Sequence, residues 1–235
     1  MVYAVACVVD FNKNVLLMEI IGEMRDLPWL GNDVIHVWGL HVPDLLDRIE
    51  PLGRILCDRE REKAARYHRE SDRQASIVSR GALRILLSGY SGEPAAQINF
   101  EYTENGKPHM LDSELAFNVS HSGEWVVLAI GRDRKIGVDV EMIRRDMDVL
   151  AIASRYFTPE EIARIETAED RHSVFFQLWA RKEAYVKACG STLFSELAHF
   201  SVPMEEGGEN DGWIFQRLEA GSEYAAAIVT DKKLA

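Results

Sequence analysis

The chain has 235 residues, enough for one large domain or two small ones with a substantial core. Its hydrophobic fraction of 47% and charged fraction of 28% are ordinary for a soluble globular protein, and its net charge of −11 argues against general nucleic-acid binding. The cysteines Cys7, Cys57 and Cys189 are odd in number, widely spaced and without a CxxC, which argues against a disulfide framework or zinc site and for a reducing cytoplasm.

The apolar start, Val2 to Val9, is halted by Asp10 and lacks a basic leader, so no signal peptide is expected. No apolar run approaches the ~18 residues of a membrane span. Residues 2–9 and 14–21 read as short strands around a turn, and Val34 to Leu40 as another. Charges alternate with apolar residues at helical spacing from Asp58 to about Arg69 and from Asp72 to about Leu87. Asp58 and Ser71 or Asp72 are the expected N-caps, and Gly89 the stop. Nine basic and five acidic residues between Arg54 and Arg84 give a local +4 on an otherwise acidic chain. That bias suggests an anionic ligand or partner, with about half of the side chains expected in ordinary helix-surface pairs.

Asn105-Gly106-Lys107-Pro108 is a turn, and the polar connector after Leu111 divides the chain into expected domains at 1–113 and 114–235. Strands follow at Leu115–Val119, Trp125–Ile130 and Ile136–Glu141. Helices are expected at about 148–155, 159–168 (Thr158 as cap, Pro159 at the first position) and 172–188. Residues 198–203, 212–218 and 223–229 read as a closing antiparallel meander. Strands and helices run in segregated blocks, which points to an α+β fold.

Three segments carry chemistry. In Ile136-Gly137-Val138-Asp139-Val140-Glu141 the strand period sends the branched residues to the core and Asp139 and Glu141 together onto the other face, roughly 6.6 Å apart along the strand. In Trp179-Ala180-Arg181-Lys182-Glu183-Ala184-Tyr185-Val186-Lys187, Glu183 and Lys187 lie one helical turn apart on one face. If these segments meet, three carboxylates and a lysine could hold a divalent ion and a phosphate-bearing substrate. Asn118-Val119-Ser120-His121-Ser122 ends a strand in hydroxyls and an imidazole able to donate to a phosphate. Ser120 and His121 are sequence neighbours without a nucleophile elbow, so a Ser-His hydrolase is not indicated.

Together with Phe157-Thr158-Pro159-Glu160-Glu161, these segments resemble, in order and spacing, the 4′-phosphopantetheinyl transferases of the surfactin-synthetase-activating type. The resemblance extends upstream through Glu60-x-x-Lys63-Ala64-x-Arg66-Tyr67, Asp72, Arg80-Gly81-x-Leu83-Arg84 and Gly106-Lys107-Pro108, and covers roughly residues 34–230. It implies two similar subdomains related by a pseudo-twofold, each with an antiparallel sheet and a long packed helix, with the active site at their interface. It also implies a cytoplasmic monomer, acting on neither nucleic acid nor membrane. The implied reaction moves the 4′-phosphopantetheine arm of coenzyme A to a serine of an apo acyl or peptidyl carrier protein, leaving adenosine 3′,5′-bisphosphate.

In that reading Asp139, Glu141 and Glu183 bind Mg²⁺ (or Mn²⁺) with the coenzyme A pyrophosphate. Lys187 contacts the phosphate, and Glu183 or a metal-bound water helps deprotonate the serine. Lys63, Arg66, Lys107, Pro108, Ser120 and His121 hold coenzyme A, His121 near its 3′-phosphate. Carrier docking is expected on Met147–Phe157, where Arg155 accompanies Ile152, Tyr156 and Phe157. Two positions depart from the family pattern: Glu60 stands where some relatives are basic, and Asn105 where some are aromatic. The rival readings are a metal-dependent phosphohydrolase acting on coenzyme A or nucleotides, and a non-catalytic coenzyme A- or carrier-binding module.

Overall fold

The structure, a computed structural model, describes residues 27, 29–32, 34–191, 194–205 and 207–231, without the side chains of 194–196. The strands expected at 2–9 and 14–21, and Cys7, lie outside the described residues. The fold is α+β, with every strand pair antiparallel and six α-helices among the described residues. No helix among those residues is long and apolar enough to cross a membrane. The chain divides into two compact units, one holding the residues up to Tyr102 together with Pro108–Asp133, the other Thr103–Lys107 together with Arg134 onward.

In the first unit, β1 (His36–His41) and β4 (Leu115–Ser122) both pair with β5 (Trp125–Arg132), giving the order β1-β5-β4. β4 and β5 complete the sheet that β1 begins, and the first compact unit accordingly runs to Asp133. A 3₁₀ turn at Val42–Arg48, α1 (Ile49–Arg54) and α2 (Asp58–Ala65) lead to the long α3 (Glu70–Ser91). The short hairpin β2 (Phe100–Tyr102) and β3 (Pro108–Met110) flanks the predicted turn. Val78, Leu83, Leu86 and Leu87 of α3 share one core with Leu40, Phe117, Val126, Leu128 and Ile130 of the sheet.

The helix ends differ from the expected ones. Cys57, not Asp58, is the N-cap of α2, and Asp58 instead pairs with Arg61 at 2.6 Å. α3 starts after Arg69 without a side-chain cap, its first turn carrying Glu70 and Asp72 toward the positive end of the dipole. It runs through Gly89 and stops at Gly92, whose φ of 78° is the left-handed geometry a helix end favours.

In the second unit, β6 (Ile136–Met142), β9 (Tyr224–Asp231), β8 (Trp213–Leu218) and β7 (Gly208–Asn210) form a sheet in that order. The helices α4 (Val149–Tyr156), α5 (Pro159–Thr167) and α6 (Arg171–Cys189) fall within a residue or two of expectation. Their starts are capped by Asp148, Thr158 and Asp170, each side chain accepting a backbone N–H of the first turn. Trp179 of α6 stacks on Phe175 and Phe157, tying α6 to the end of α4, while Tyr185 stacks on Phe200 at 4.2 Å.

Lys182 explains why Thr158-Pro159-Glu160-Glu161 and Lys182-Glu183 occur together. Its fully buried ammonium lies 2.8 Å from Glu161 Oε2 and donates to the carbonyls of Leu197 at 2.6 Å and Phe200 at 2.7 Å. Glu161 in turn accepts from Thr158 N and Val202 N, both at 2.9 Å. The strand expected at 198–203 is therefore absent: residues 194–199 form a 3₁₀ turn, and the backbone beyond it is held by these two side chains rather than by a ladder. Lys182→Met should cost about 3–5 kcal/mol, because it leaves the Glu161 carboxylate buried without its cation. Urea titration checks this, and a loss under about 1 kcal/mol would contradict the assignment.

Candidate active site

The acids of β6 lie on the face that α6 covers. Opposite Gly137, Asp139 and Glu141 in the β6–β9 ladder stand Val229, Ala227 and Ala225, which pack with Ala180, Ala184 and Ala188 of α6 in one core. The sequence reading put the two acids opposite the core face, yet β6 is covered on both sides and Asp139 is 2% exposed. The small-residue stripe at every fourth position of α6 brings helix and strand into close approach. A Cβ on Gly137 would lie 1.8 Å from the Ala184 carbonyl oxygen and 2.4 Å from Ala188 N, so only glycine fits.

That approach brings Lys187 and Glu183 to the strand. Lys187 Nζ lies 2.6 Å from Asp139 Oδ1 and donates to the Val138 carbonyl at 3.4 Å. Burial, then the negative charges of Asp139 and Glu141, push the Glu183 carboxyl up to about 7 against the opposing pull of Lys187. A surface i,i+4 pair would show none of this. Among the described residues no three His, Cys, Asp or Glu side chains form a ready-made metal cage. The donor chemistry still suits a hard cation: three carboxylates are close enough to repel one another, and hard divalent ions take oxygen ligands.

The remaining predicted residues fall in several places. Lys107 donates from Nζ to the carbonyls of Ile136 at 2.9 Å, Lys187 at 2.5 Å and Ala188 at 3.5 Å. Burial lowers its pKa to about 8, with Lys135 adding to the drop and Cys189 opposing it. In the first unit, Lys63 and Arg66 are exposed on and just after α2, and Pro108 opens β3. Near the end of β4, Ser120 is buried and His121 exposed, as strand alternation requires. Of the expected docking residues, Arg155 is exposed, Ile152 and Tyr156 are half-buried, and Phe157 belongs to the core.

Two departures from the family pattern have structural partners. Glu60 is buried and accepts from Arg84 Nε at 2.7 Å and from Cys57 N at 3.0 Å, with Arg80 at 3.5 Å. Asn105 donates from Nδ2 to the Gly190 carbonyl at 2.7 Å. The sequence pattern pointed to Asp58 as the cap because a cysteine at 57 is no usual capping-box residue, and it held no signal for the long-range partners of Glu60 and Asn105.

A family model described as the 4′-phosphopantetheinyl transferase superfamily matches residues 135–229, and one described as 4′-phosphopantetheinyl transferase, N-terminal, matches residues 47–132. Among curated proteins, the chain is 34% identical over 167 residues to the 4′-phosphopantetheinyl transferase HetI of a Nostoc species, covering 68% of this chain and 70% of that one. It is 33% identical over 165 residues to psf-1 of Bacillus pumilus, covering 69% and 70%, and 30% identical over 153 residues to Sfp of Bacillus subtilis, covering 64% and 67%. With matches running through both units, the chain belongs to the 4′-phosphopantetheinyl transferase superfamily, an enzyme class, in its Sfp-like type.

Proposed function

We propose that this enzyme transfers 4′-phosphopantetheine from coenzyme A to a serine hydroxyl of an apo carrier protein, with Mg²⁺ held by Asp139, Glu141 and Glu183. The observation that carries the reading is the crowding of these acids around Lys187, with Lys187 Nζ 2.6 Å from Asp139 Oδ1. In the reaction the serine oxygen attacks the phosphorus bearing pantetheine, and the bond to the bridging oxygen breaks. Adenosine 3′,5′-bisphosphate leaves, so positioning and charge neutralisation do most of the work. The bound ion supplies charge neutralisation at the pyrophosphate. Glu183, or a water beside the ion, would take the serine proton, and Lys187 donates to phosphate oxygens while its contact with Asp139 fixes its position.

Coenzyme A is held in this reading by Lys63, Arg66, Pro108, Ser120, His121 and Lys187, and the exposed Arg155 on α4 meets an acid of the carrier. The deciding experiment is mass spectrometry of an apo carrier protein after incubation with coenzyme A and Mg²⁺. A gain of one phosphopantetheine supports the reading; cleavage of coenzyme A with no change in the carrier supports the phosphohydrolase instead.

Lys63→Ala and Arg66→Ala should each raise the KM for coenzyme A with little change in kcat, as loss of uniform phosphate binding does. Both side chains are solvent-screened, so the effect is about fivefold each rather than the larger loss of a buried contact. Dephospho-coenzyme A should silence whichever residue reads the 3′-phosphate. Identical responses of both variants to both ligands would remove that role from Lys63 and Arg66.

A further inference from the structure

We propose that Lys107 is a positioning residue for the carboxylate cluster, fastening the end of α6 to the start of β6. In that role it sets Glu183 and Lys187 against Asp139 and Glu141. The proposal deepens the transferase reading and rests on it for its kinetic arm.

The geometry is that of a clamp. An ammonium has three N–H donors, and Lys107 spends them on three carbonyls. Two belong to Lys187 and Ala188, in the last turn of α6, where helix carbonyls lack intrahelical partners and the negative end of the dipole favours a cation. The third belongs to Ile136, the first residue of β6 and three before Asp139. One side chain thus grips both elements that carry the acids, at Lys187 itself on one of them.

Asn105 adds a second pin through its 2.7 Å bond to the Gly190 carbonyl. The turn that presents both is braced internally. Gly106 N donates to the Thr103 carbonyl at 2.8 Å, Thr103 N to the Lys107 carbonyl at 3.0 Å, and Lys107 N to Thr103 Oγ1 at 3.1 Å. Gly106, at φ 79°, supplies the left-handed residue that this reversal requires. For Lys107 to contact a coenzyme A phosphate instead, its ammonium must abandon these acceptors, leaving the Lys187 carbonyl with the 3.3 Å bond from Gly190 N and the two elements without their shared cation.

The test compares Lys107→Met, which keeps most of the stem and removes the donors, with Asn105→Ala on the exposed pin. Transfer to an apo carrier is measured with coenzyme A and with dephospho-coenzyme A. Affinity for Mn²⁺ alone is measured by electron paramagnetic resonance, and amide exchange is followed along α6. Lys107→Met should lower kcat about thirty- to a hundredfold, the scale of a misplacement near 1 Å. The KM for coenzyme A should stay within about twofold, with the same proportional loss on dephospho-coenzyme A. Mn²⁺ should bind about tenfold more weakly, the range seen when support behind metal ligands is removed. Exchange should quicken at Ala188–Gly190 but not at Phe175–Leu178, and the urea midpoint should hold.

Asn105→Ala should move the same readouts in the same direction by less. A rise in KM at constant kcat that vanishes with dephospho-coenzyme A, with Mn²⁺ affinity and exchange unchanged, would overturn the proposal and make Lys107 a phosphate ligand. Should Lys107→Met not fold, unchanged kcat, Mn²⁺ affinity and exchange in Asn105→Ala would overturn it equally. If the wild-type protein fails to modify any carrier, the transferase reading falls, and the Mn²⁺ and exchange arms still decide the role of Lys107.

Discussion

Asp139→Ala is expected to abolish phosphopantetheine transfer, with a rate loss of about a thousandfold or more. Asp139 is the most buried of the three acids and the one in contact with Lys187, so its loss removes an oxygen ligand and the anion that orients the lysine at once. Asp139→Asn separates charge from shape: it keeps the volume of the side chain, and transfer should still fail because a neutral amide is a poor substitute for a carboxylate at a hard cation. Glu141 is half-buried at the end of the strand, where water can replace it, so Glu141→Ala should be milder. Both Asp139 variants should keep the fold by circular dichroism. Wild-type transfer rates in Asp139→Ala with Mg²⁺ present would sink the assignment of the site.

Gly137→Ala is expected to be nearly as damaging, for a reason that runs against local propensity. Within a strand, exchanging glycine for alanine ordinarily stabilises by about 0.5–1 kcal/mol. Here the added methyl lands 1.8 Å from the Ala184 carbonyl, which is backbone and has no rotamer with which to escape. Helix and strand must part, at a cost of about 1–3 kcal/mol or more from overpacking. Because Glu183 and Lys187 ride on that helix, the displacement separates them from Asp139. The variant should therefore melt lower than wild type and lose about a hundredfold in kcat, the penalty of a shift near 1 Å. A melting temperature equal to or above that of wild type would show that the approach is not as close as described.

Much of this was legible from local pattern. The three helices of the second unit could be read from local signals: Thr158 and Pro159 announce α5, and the ranges expected for α4 and α6 fall within a residue or two of those found. The alternation in β6 put Asp139 and Glu141 on one face, and helical spacing did the same for Glu183 and Lys187. What local pattern could not supply was the pairing across 48 residues that turns two weak motifs into one site. Glu60 stands where some relatives are basic, and its partners Arg84 and Arg80 on α3 make it structural. Lys182 and Glu183 are adjacent on one helix and read alike in sequence. Yet one is sealed in an ion pair with Glu161 and the other faces Asp139, because neighbours on a helix diverge by about 100°. The segment at 198–203 misled for the opposite reason: its apolar residues alternate like a strand, while its hydrogen bonds go to side chains.

That last segment bears on how the family can vary in length. A strand inside a sheet resists insertion, since one extra residue not absorbed by a bulge turns every following side chain over. The stretch from Leu197 to Val202 has no such ladder, but side chains hold it at the carbonyls of Leu197, Phe200 and Ser201 and at the N–H of Val202. The chain just past Val202 is tied to the same helix, the Met204 carbonyl accepting from Arg181 of α6 at 3.4 Å. Inside the anchored stretch the spacing is constrained as tightly as in a strand, although no sheet imposes it. An alignment that opens a gap there would break the contacts that seat Lys182 and Glu161.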